Sequence, residues 1–431
     1  MLQRFIKENQ HVDVAQLALQ RSRYPMLSDS DFRFGLQQID GRRRTRDKLP
    51  TFATIDGWLY PPRLNLEQCS SERTARFKAS LLSSLPPSPV HPSSVPPSPV
   101  PPFTLIDATG GFGVDTFFMS DEAQETHYFE HNAELAVIAE HNFALAGKSI
   151  HCHAQAFDTD ILFNLVGGKS EESASKVQPK SIVLYLDPAR RDANGGKVFR
   201  LEDCTPNVCE IVRFVQRKCP TVRVLLKLSP MLDIRQAVLR LGGSWDVYIL
   251  SIANEVKELL LLSDGTNAIN AVSLDDAGAH ILTFTAAEES RAEAQFVSNS
   301  LLFERGGLCS LSETLYLYEP DAAILKAGAF RLLSARYGLK KADRNTHLYL
   351  ADTREAFAAV PLPGRMWQIV AVYTRAKEVQ RALTRANVLA RNYVLPADVL
   401  RKQLRLKDGG DDYIIGCIIA GKPLLLHCRR I

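Results

Sequence analysis

Residues 105–118 read LIDATGGFGVDTFF, an apolar strand that ends in aspartate and runs straight into glycines. The residues able to do chemistry are spaced Asp107-x-Thr109-x-Gly111-x-Gly113-x-Asp115. Glycine has no Cβ, so such a loop lets backbone approach a ligand closely, and the flanking acids can hold an ammonium group directly or through water. Two phosphate-binding loops are excluded. A dinucleotide fingerprint needs a third glycine where Thr116 stands, and no Gly-Lys-Ser/Thr follows Gly113 as a Walker loop requires.

More acids follow at regular intervals. Glu130 ends the next strand-like run and is placed to accept hydrogen bonds from both hydroxyls of a ribose. Asp158, in AQAFDTDI, follows a third run and has two readings: acceptor for an adenine amino group, or cap of the next helix. A fourth run, SIVLYLDPARRD, brings Asp187-Pro188 to the same rim. A lone acid at a strand end is an ordinary solvated residue. Acids on consecutive strand ends of a parallel sheet share the crevice outside the carboxyl edge, where such sheets bind ligands.

The elements that must position these residues are legible in the pattern. Apolar runs at 103–107, 126–130, 149–154, 181–187 and 221–228 alternate with helix-like segments, which predicts a parallel α/β sheet. Runs at 247–253 and 258–263 lie too close for a parallel crossover, so they predict an antiparallel edge hairpin. The pair INAVSLDD and HILTFTA either extends that sheet or begins the next region. Before the sheet, residues 1–84 form a helical region, and the Pro/Ser-rich stretch 85–102, with PPSPV repeated, is an extended linker. After it, ILKAGAFRLLSARYGL (324–339) predicts one amphipathic helix. The last seventy residues predict a small α+β unit: strand MWQIVAVYT, helix AKEVQRALTRANVLAR, a second helix in LPADVLRKQLRL, and a hairpin turned at AGKP.

Composition bounds the function. The chain has 431 residues, 45% hydrophobic and 23% charged, so it is globular with several domains. A net charge of +4 gives no whole-molecule field for nucleic acid, so any basic surface is local. The eight cysteines form no C-x-x-C pair and the N-terminus has no signal-peptide core, which reads as a cytoplasmic protein with reduced thiols. No apolar run is long enough to span a membrane. His151-Cys152-His153 puts two histidines on one strand face without further ligands nearby, so no metal site is expected.

Taken together, DATGGFG, Glu130 and LDPAR resemble the class I S-adenosylmethionine-dependent methyltransferases over residues 103 to about 263: the glycine motif, the ribose acid and the D-P-P-x motif beside the transferred methyl. The resemblance implies a Rossmann-like seven-stranded sheet, with S-adenosyl-L-methionine held by Asp107, Thr109, Gly111, Gly113, Asp115, Glu130 and Asp158. It makes Asp187 and Pro188 the catalytic pair, the carboxylate and the Pro188 carbonyl orienting an amine for in-line methyl transfer. The order of parts resembles bacterial methyltransferases ending in a THUMP-like domain, matched on RNYVLPADVLRKQLRLKDGGDDYI. The domains expected are a methyltransferase at 103–290, a connecting helical or ferredoxin-like segment at 291–360 and a THUMP-like domain at 361–431.

THUMP domains are associated with RNA modification, so the resemblance implies an RNA substrate, tRNA or rRNA. The aromatic that usually follows D-P-P in amine methylases is replaced by Ala189-Arg190-Arg191, whose guanidinium groups can stack on a base or pair with phosphate. Lys227, in KLSP, and Glu255, in NEVKE, either line the substrate side or pair with neighbours. Arg401 and Lys402, with Arg405 and Lys407, form one basic run; Arg42, Arg43, Arg44, Arg46 and Lys48 form another. Such runs contact phosphate or are simply solvated. Cys204 is the nearest candidate for the nucleophile of a carbon-5 pyrimidine methylase. Residues 67–79, EQCSSERTARFKA, are placed over the cofactor end of the sheet. Two further functions stay open: a methyltransferase acting on protein or a small molecule, and a catalytically silent RNA-binding protein.

Overall fold

The computed structural model describes residues 1–84, 102–166, 181–189, 201–297, 315–361 and 363–431. They fall into two compact units, residues 1–245 with 260–265, and residues 246–259 with 266–431. Nearly all of the expected linker, and both Arg190 and Arg191, lie outside the described residues.

The first unit opens with helices α1 (Leu2–Asn9), α2 (Val14–Ala18), α3 (Asp29–Thr45), α4 (Pro50–Thr54), α5 (Arg63–Gln68) and α6 (Glu72–Ser83). Their starts follow from local chemistry: the Ser28 and Ser71 hydroxyls accept the third amides of α3 and α6, and Pro50 begins α4, where its missing N–H costs nothing. Phe5, Leu17, Leu27, Phe32 and Ile39 bury the apolar faces of α1–α3.

The α/β alternation then runs β1 (Phe103–Asp107), α7 (Val114–Met119), β2 (Glu125–Phe129), α8 (Ala133–Leu145), β3 (His151–His153), α9 (Thr159–Leu165), β4 (Ser181–Leu186), α10 (Val208–Lys218), β5 (Val222–Leu228) and α11 (Ile234–Leu241). Strands β1 and β5 are buried at every residue, as strands covered on both faces must be. β1 pairs in parallel with β2 on one side and β4 on the other, with Asp107 level with Tyr128 and Tyr185. The chain therefore reverses its direction of winding at β1, which opens a crevice at the carboxyl ends of β1 and β4.

β6 (Trp245–Ile252) and β7 (Glu255–Ser263) form the expected hairpin, turned on Ala253 and Asn254, both at positive φ as a two-residue hairpin turn demands. The full strand order is β3-β2-β1-β4-β5-β7-β6-β8-β9. The seven-stranded arrangement is thus present and extended by two strands, β8 (Ala268–Asp275) parallel to β6 and β9 (Gly278–Thr285) antiparallel to β8.

The second unit continues through α12 (Ala286–Arg291), β10 (Leu315–Glu319), α13 (Ala322–Ala327), α14 (Phe330–Tyr337), β11 (Lys340–Lys341), β12 (Tyr349–Ala351), β13 (Arg365–Tyr373), α15 (Ala376–Ala382), β14 (Asn387–Arg391), α16 (Ala397–Leu404), β15 (Asp412–Ile419) and β16 (Lys422–Arg430). Its own sheet has the order β11-β12-β10-β13-β16-β15-β14. Alternation sends Ile415 and Leu426 into one apolar cluster and Ile414 and Leu425 into another, so both faces are covered. Two expectations fail here. The helix at 324–339 is broken by Gly328, which takes the left-handed conformation and ends α13. The helix at 376–391 stops at Ala382, and Asn387–Arg391 instead pairs in parallel with β15.

Candidate active site

At the end of β1, Asp107 is only 1% exposed, and its carboxylate is spent within the loop. Oδ1 accepts the Thr109 amide at 2.9 Å and Oδ2 accepts the Thr116 hydroxyl. Burial raises this carboxyl to about 7. Asp107 therefore fastens the glycine loop at the end of β1. Thr116, the residue that spoils a dinucleotide fingerprint, supplies the fastening hydroxyl. Thr109 Oγ1 in turn accepts the Asp187 amide at 2.6 Å, tying the end of β1 to the end of β4.

The glycines answer to close packing and backbone shape. A Cβ on Gly110 would stand 2.0 Å from the Tyr128 ring. Gly113 has φ +78° and a Cβ there would meet Phe143 at 2.5 Å. Gly111, at φ +56°, has room for a Cβ only in ordinary contact with the Thr109 carbonyl, at 3.8 Å, so its backbone shape is what demands glycine; its carbonyl accepts the Tyr128 hydroxyl at 2.6 Å. Its amide donates to Glu130 Oε2 at 2.8 Å, and Glu130 Oε1 accepts the Asn132 amide at 2.7 Å. The acid expected at the ribose is thus buried and oriented by two backbone amides. Asp158 is exposed and caps α9 through the Ile161 amide at 2.8 Å, the second of its two readings.

Behind the loop lies a buried charge network. Asp187 Oδ2 accepts Lys227 Nζ at 2.6 Å. Lys227 Nζ also donates to Ser70 Oγ at 2.9 Å and lies 3.7 Å from Asp115 Oδ2. Asp115 Oδ2 accepts the hydroxyls of Ser70 and Tyr185, each at 2.7 Å, and Oδ1 lies 3.1 Å from Lys78 Nζ. Burial works against charge on Asp115, but Lys78 and Lys227, helped by the two hydroxyls, outweigh it and hold the carboxyl at about 2. Asp115, expected among the ligand-holding acids, has its carboxylate engaged inside the protein.

Residues 67–79 thus meet this network through Ser70, just ahead of α6, and through Lys78 on α6. Their seat is fixed by aromatic packing: Phe52 stacks on Trp58 at 4.1 Å and meets Phe117 edge-on at 4.9 Å, while Asn142 bonds both the amide and the carbonyl of Leu59 at 2.8 Å. Ser70, Lys78 and Tyr185 were not singled out from sequence. A signal for Lys78 existed, since it sits between Thr74, Ala75, Leu81 and Leu82 on the buried stripe of α6 and is itself 0% exposed.

Several other candidates among the described residues have local partners of their own. Arg42 donates to the Ala53 carbonyl, Arg43 and Arg44 pair with Asp13 and Asp40, and Lys48 donates to the Leu66 carbonyl, so much of that basic cluster serves its own chain. Arg401 pairs with Asp408 at 3.2 Å and Lys402 is exposed on α16, both in the second unit. Glu255 pairs with Lys257 at 2.7 Å. Cys204 is buried beside Thr205, which bridges to Ala189.

Comparison with known proteins accords with this geometry. Residues 316–357 match a family of ferredoxin-like domains and residues 364–430 a THUMP domain-like family. The chain is 24% identical, over 377 residues, to proteins of two Mycobacterium tuberculosis strains (CDC 1551 / Oshkosh and H37Rv) described as uncharacterised S-adenosylmethionine-dependent methyltransferases. Each alignment covers 85% of this chain and 87% of the relative. It also superposes on a crystal structure described as a candidate methyltransferase from Porphyromonas gingivalis W83, with a TM-score of 0.77, 26% identity, and coverage of 100% of this chain and 97% of that one. By fold and along its length, the chain is similar to S-adenosylmethionine-dependent methyltransferases, with the Rossmann-like class I arrangement of strands and a THUMP domain-like match at its C-terminal end.

Proposed function

We propose that this enzyme methylates an exocyclic amine on a base of RNA, tRNA or rRNA. The reading is carried by Asp187: it sits at the switch point of the sheet, its amide is tied to Thr109 of the glycine loop, and Lys227 fixes one carboxylate oxygen. The other oxygen, with the Pro188 carbonyl, serves as acceptor for the hydrogens of an amine.

Glu130 suits the ribose hydroxyls of S-adenosyl-L-methionine, because its oxygens are held in place by the backbone amides of Gly111 and Asn132 at the end of β2. Asp158, which caps α9 beyond the end of β3, keeps one carboxylate oxygen for the adenine amino group. When bound, the cofactor supplies an electrophilic methyl on a sulfonium. The protein's task is alignment and exclusion of water, which contributes roughly 7 to 11 kcal/mol in favourable cases. As positive charge develops on the amine nitrogen, a fixed Asp187 carboxylate stabilises it more in the transition state than in the ground state.

The RNA assignment rests on the THUMP-like match at 364–430. In this reading the chemistry belongs to residues 103–290 and capture of RNA to 361–431, joined through 291–360, with Arg190, Arg191, Arg401 and Lys402 as the cations for base and phosphate. Seven cysteines in the described residues are free thiols, which supports a cytoplasmic setting. Among those residues no helix is long and apolar enough to cross a membrane.

The test is transfer of tritiated methyl from S-adenosyl-L-methionine to RNA isolated from a strain lacking the protein, followed by nucleoside mass spectrometry. Label in an amine-methylated base is the expected result. Label only in protein or small molecules, or cofactor binding without any transfer, contradicts the reading.

A further inference from the structure

The buried network holds a second anion within reach of the ammonium that neutralises Asp187. Lys227 Nζ is 2.6 Å from Asp187 Oδ2 and 3.7 Å from Asp115 Oδ2, with Ser70 Oγ, at 2.9 Å, hydrogen-bonded to both Lys227 and Asp115. Ser70 uses its full capacity here, since its hydroxyl donates to Asp115 and accepts from Lys227 and from Lys78 at 3.3 Å. The Lys227 and Asp115 side chains are 10% and 9% exposed, whereas that of Asp187 is 34% exposed. Asp187 can exchange a proton with water; the other two are enclosed.

We propose that Asp115 is a reserve counter-ion for Lys227, held ready by Ser70 and Lys78 of the N-terminal helical region, and that this is what lets Asp187 take up the proton released by methylation. The idea rests on the amine reading above. The amine nitrogen's electron pair forms the new N–C bond, the S–C bond breaks, and its pair stays on sulfur. The nitrogen, now cationic, gives one proton to the second oxygen of Asp187. Were Asp187 the sole anion near Lys227, that protonation would strand a buried ammonium, which is costly. With Asp115 in place, Lys227 leans to its other partner, and Asp187 passes the proton to solvent. Ser70, Lys78 and Asp115 are positioning residues in this scheme. Among the described residues, the charged groups around Asp187 include Lys227 on β5, Asp115 on α7, Asp107 on β1 and, one step removed, Lys78 on α6.

Neutralising the reserve must therefore bind Lys227 more tightly to Asp187 and make Asp187 a weaker base. In Asp115→Asn, the acidic limb of the kcat–pH profile on RNA is expected to move down by about one unit, with kcat at neutral pH falling about tenfold or more. Ser70→Ala is expected to shift the same way by less, and Ser70→Thr to restore it. S-adenosyl-L-methionine affinity by calorimetry stays within a few-fold. Should Asp115→Asn fail to fold, Lys78→Met/Asp115→Asn removes a matched pair and is expected to act likewise. The readout independent of substrate is carboxyl NMR of the whole protein, with Asp187 assigned by difference from Asp187→Asn. Its titration point is expected to drop in the Asp115 variants. An unmoved Asp187 titration overturns the proposal. Failure of the wild-type protein to label RNA overturns only the substrate reading.

Discussion

Asp107, the last residue of β1, and Asp115, in the first turn of α7, are eight positions apart, yet their environments drive them in opposite directions. Asp107 is buried with hydroxyl and amide donors and no cation, so its carboxyl rises to about 7; Asp115 is buried against Lys78 and Lys227 and falls to about 2. The linkage signs follow. An acid raised above its unfolded value, about 3.9, contributes stability that is full below that value and lost as pH climbs through about 7. Asp115 contributes stability above about 3.9 that is lost as pH falls through about 2. Asp107→Asn keeps the carbonyl that accepts the Thr109 amide and removes the titration. Its Tm relative to wild type is expected to improve as pH rises from about 4 to 7, and a difference that ignores pH contradicts the assignment. Sequence spacing placed both acids at the right strand end. It could not separate their roles, because these depend on Thr116, Ser70 and Lys78, which only the folded chain brings near.

At the scale of elements, the glycine loop is defined by contact as much as by ligand. Gly110 lies against the Tyr128 ring, so Gly110→Ala forces a Cβ to within 2.0 Å of it and must displace either loop or ring. Overpacking of this kind costs about 1–3 kcal/mol. The expected result is a lower Tm together with weaker S-adenosyl-L-methionine binding by calorimetry, because Tyr128 also holds the Gly111 carbonyl. Unchanged affinity contradicts the coupling. The central strands were legible because buried parallel strands read as continuous apolar runs, and the β6–β7 hairpin because its loop is too short for a crossover. The second unit was less so. Residues 387–391 follow a helical pattern in sequence, but pairing with β15 outweighs that local preference, and Gly328 interrupts what reads as one helix.

At the scale of the whole chain, the N-terminal helices share one compact unit with the central strands of the first sheet. They bury Phe52 and Trp58 against Phe117, and they deliver Ser70 and Lys78 to the network that ends at Asp187. The ferredoxin-like match at 316–357 and the THUMP domain-like match at 364–430 lie in the second unit, and the proposed choice of RNA rests on the latter. The central claim is that Asp187 acts on the acceptor and not on the cofactor. Its most direct measurement pairs calorimetric S-adenosyl-L-methionine affinity with tritium transfer to RNA for wild type and Asp187→Ala. The expected outcome is affinity within a few-fold and kcat lower by about 10² or more, equivalent to roughly 2.7 kcal/mol of lost transition-state stabilisation. Normal transfer by Asp187→Ala, or transfer and affinity lost together, would contradict it.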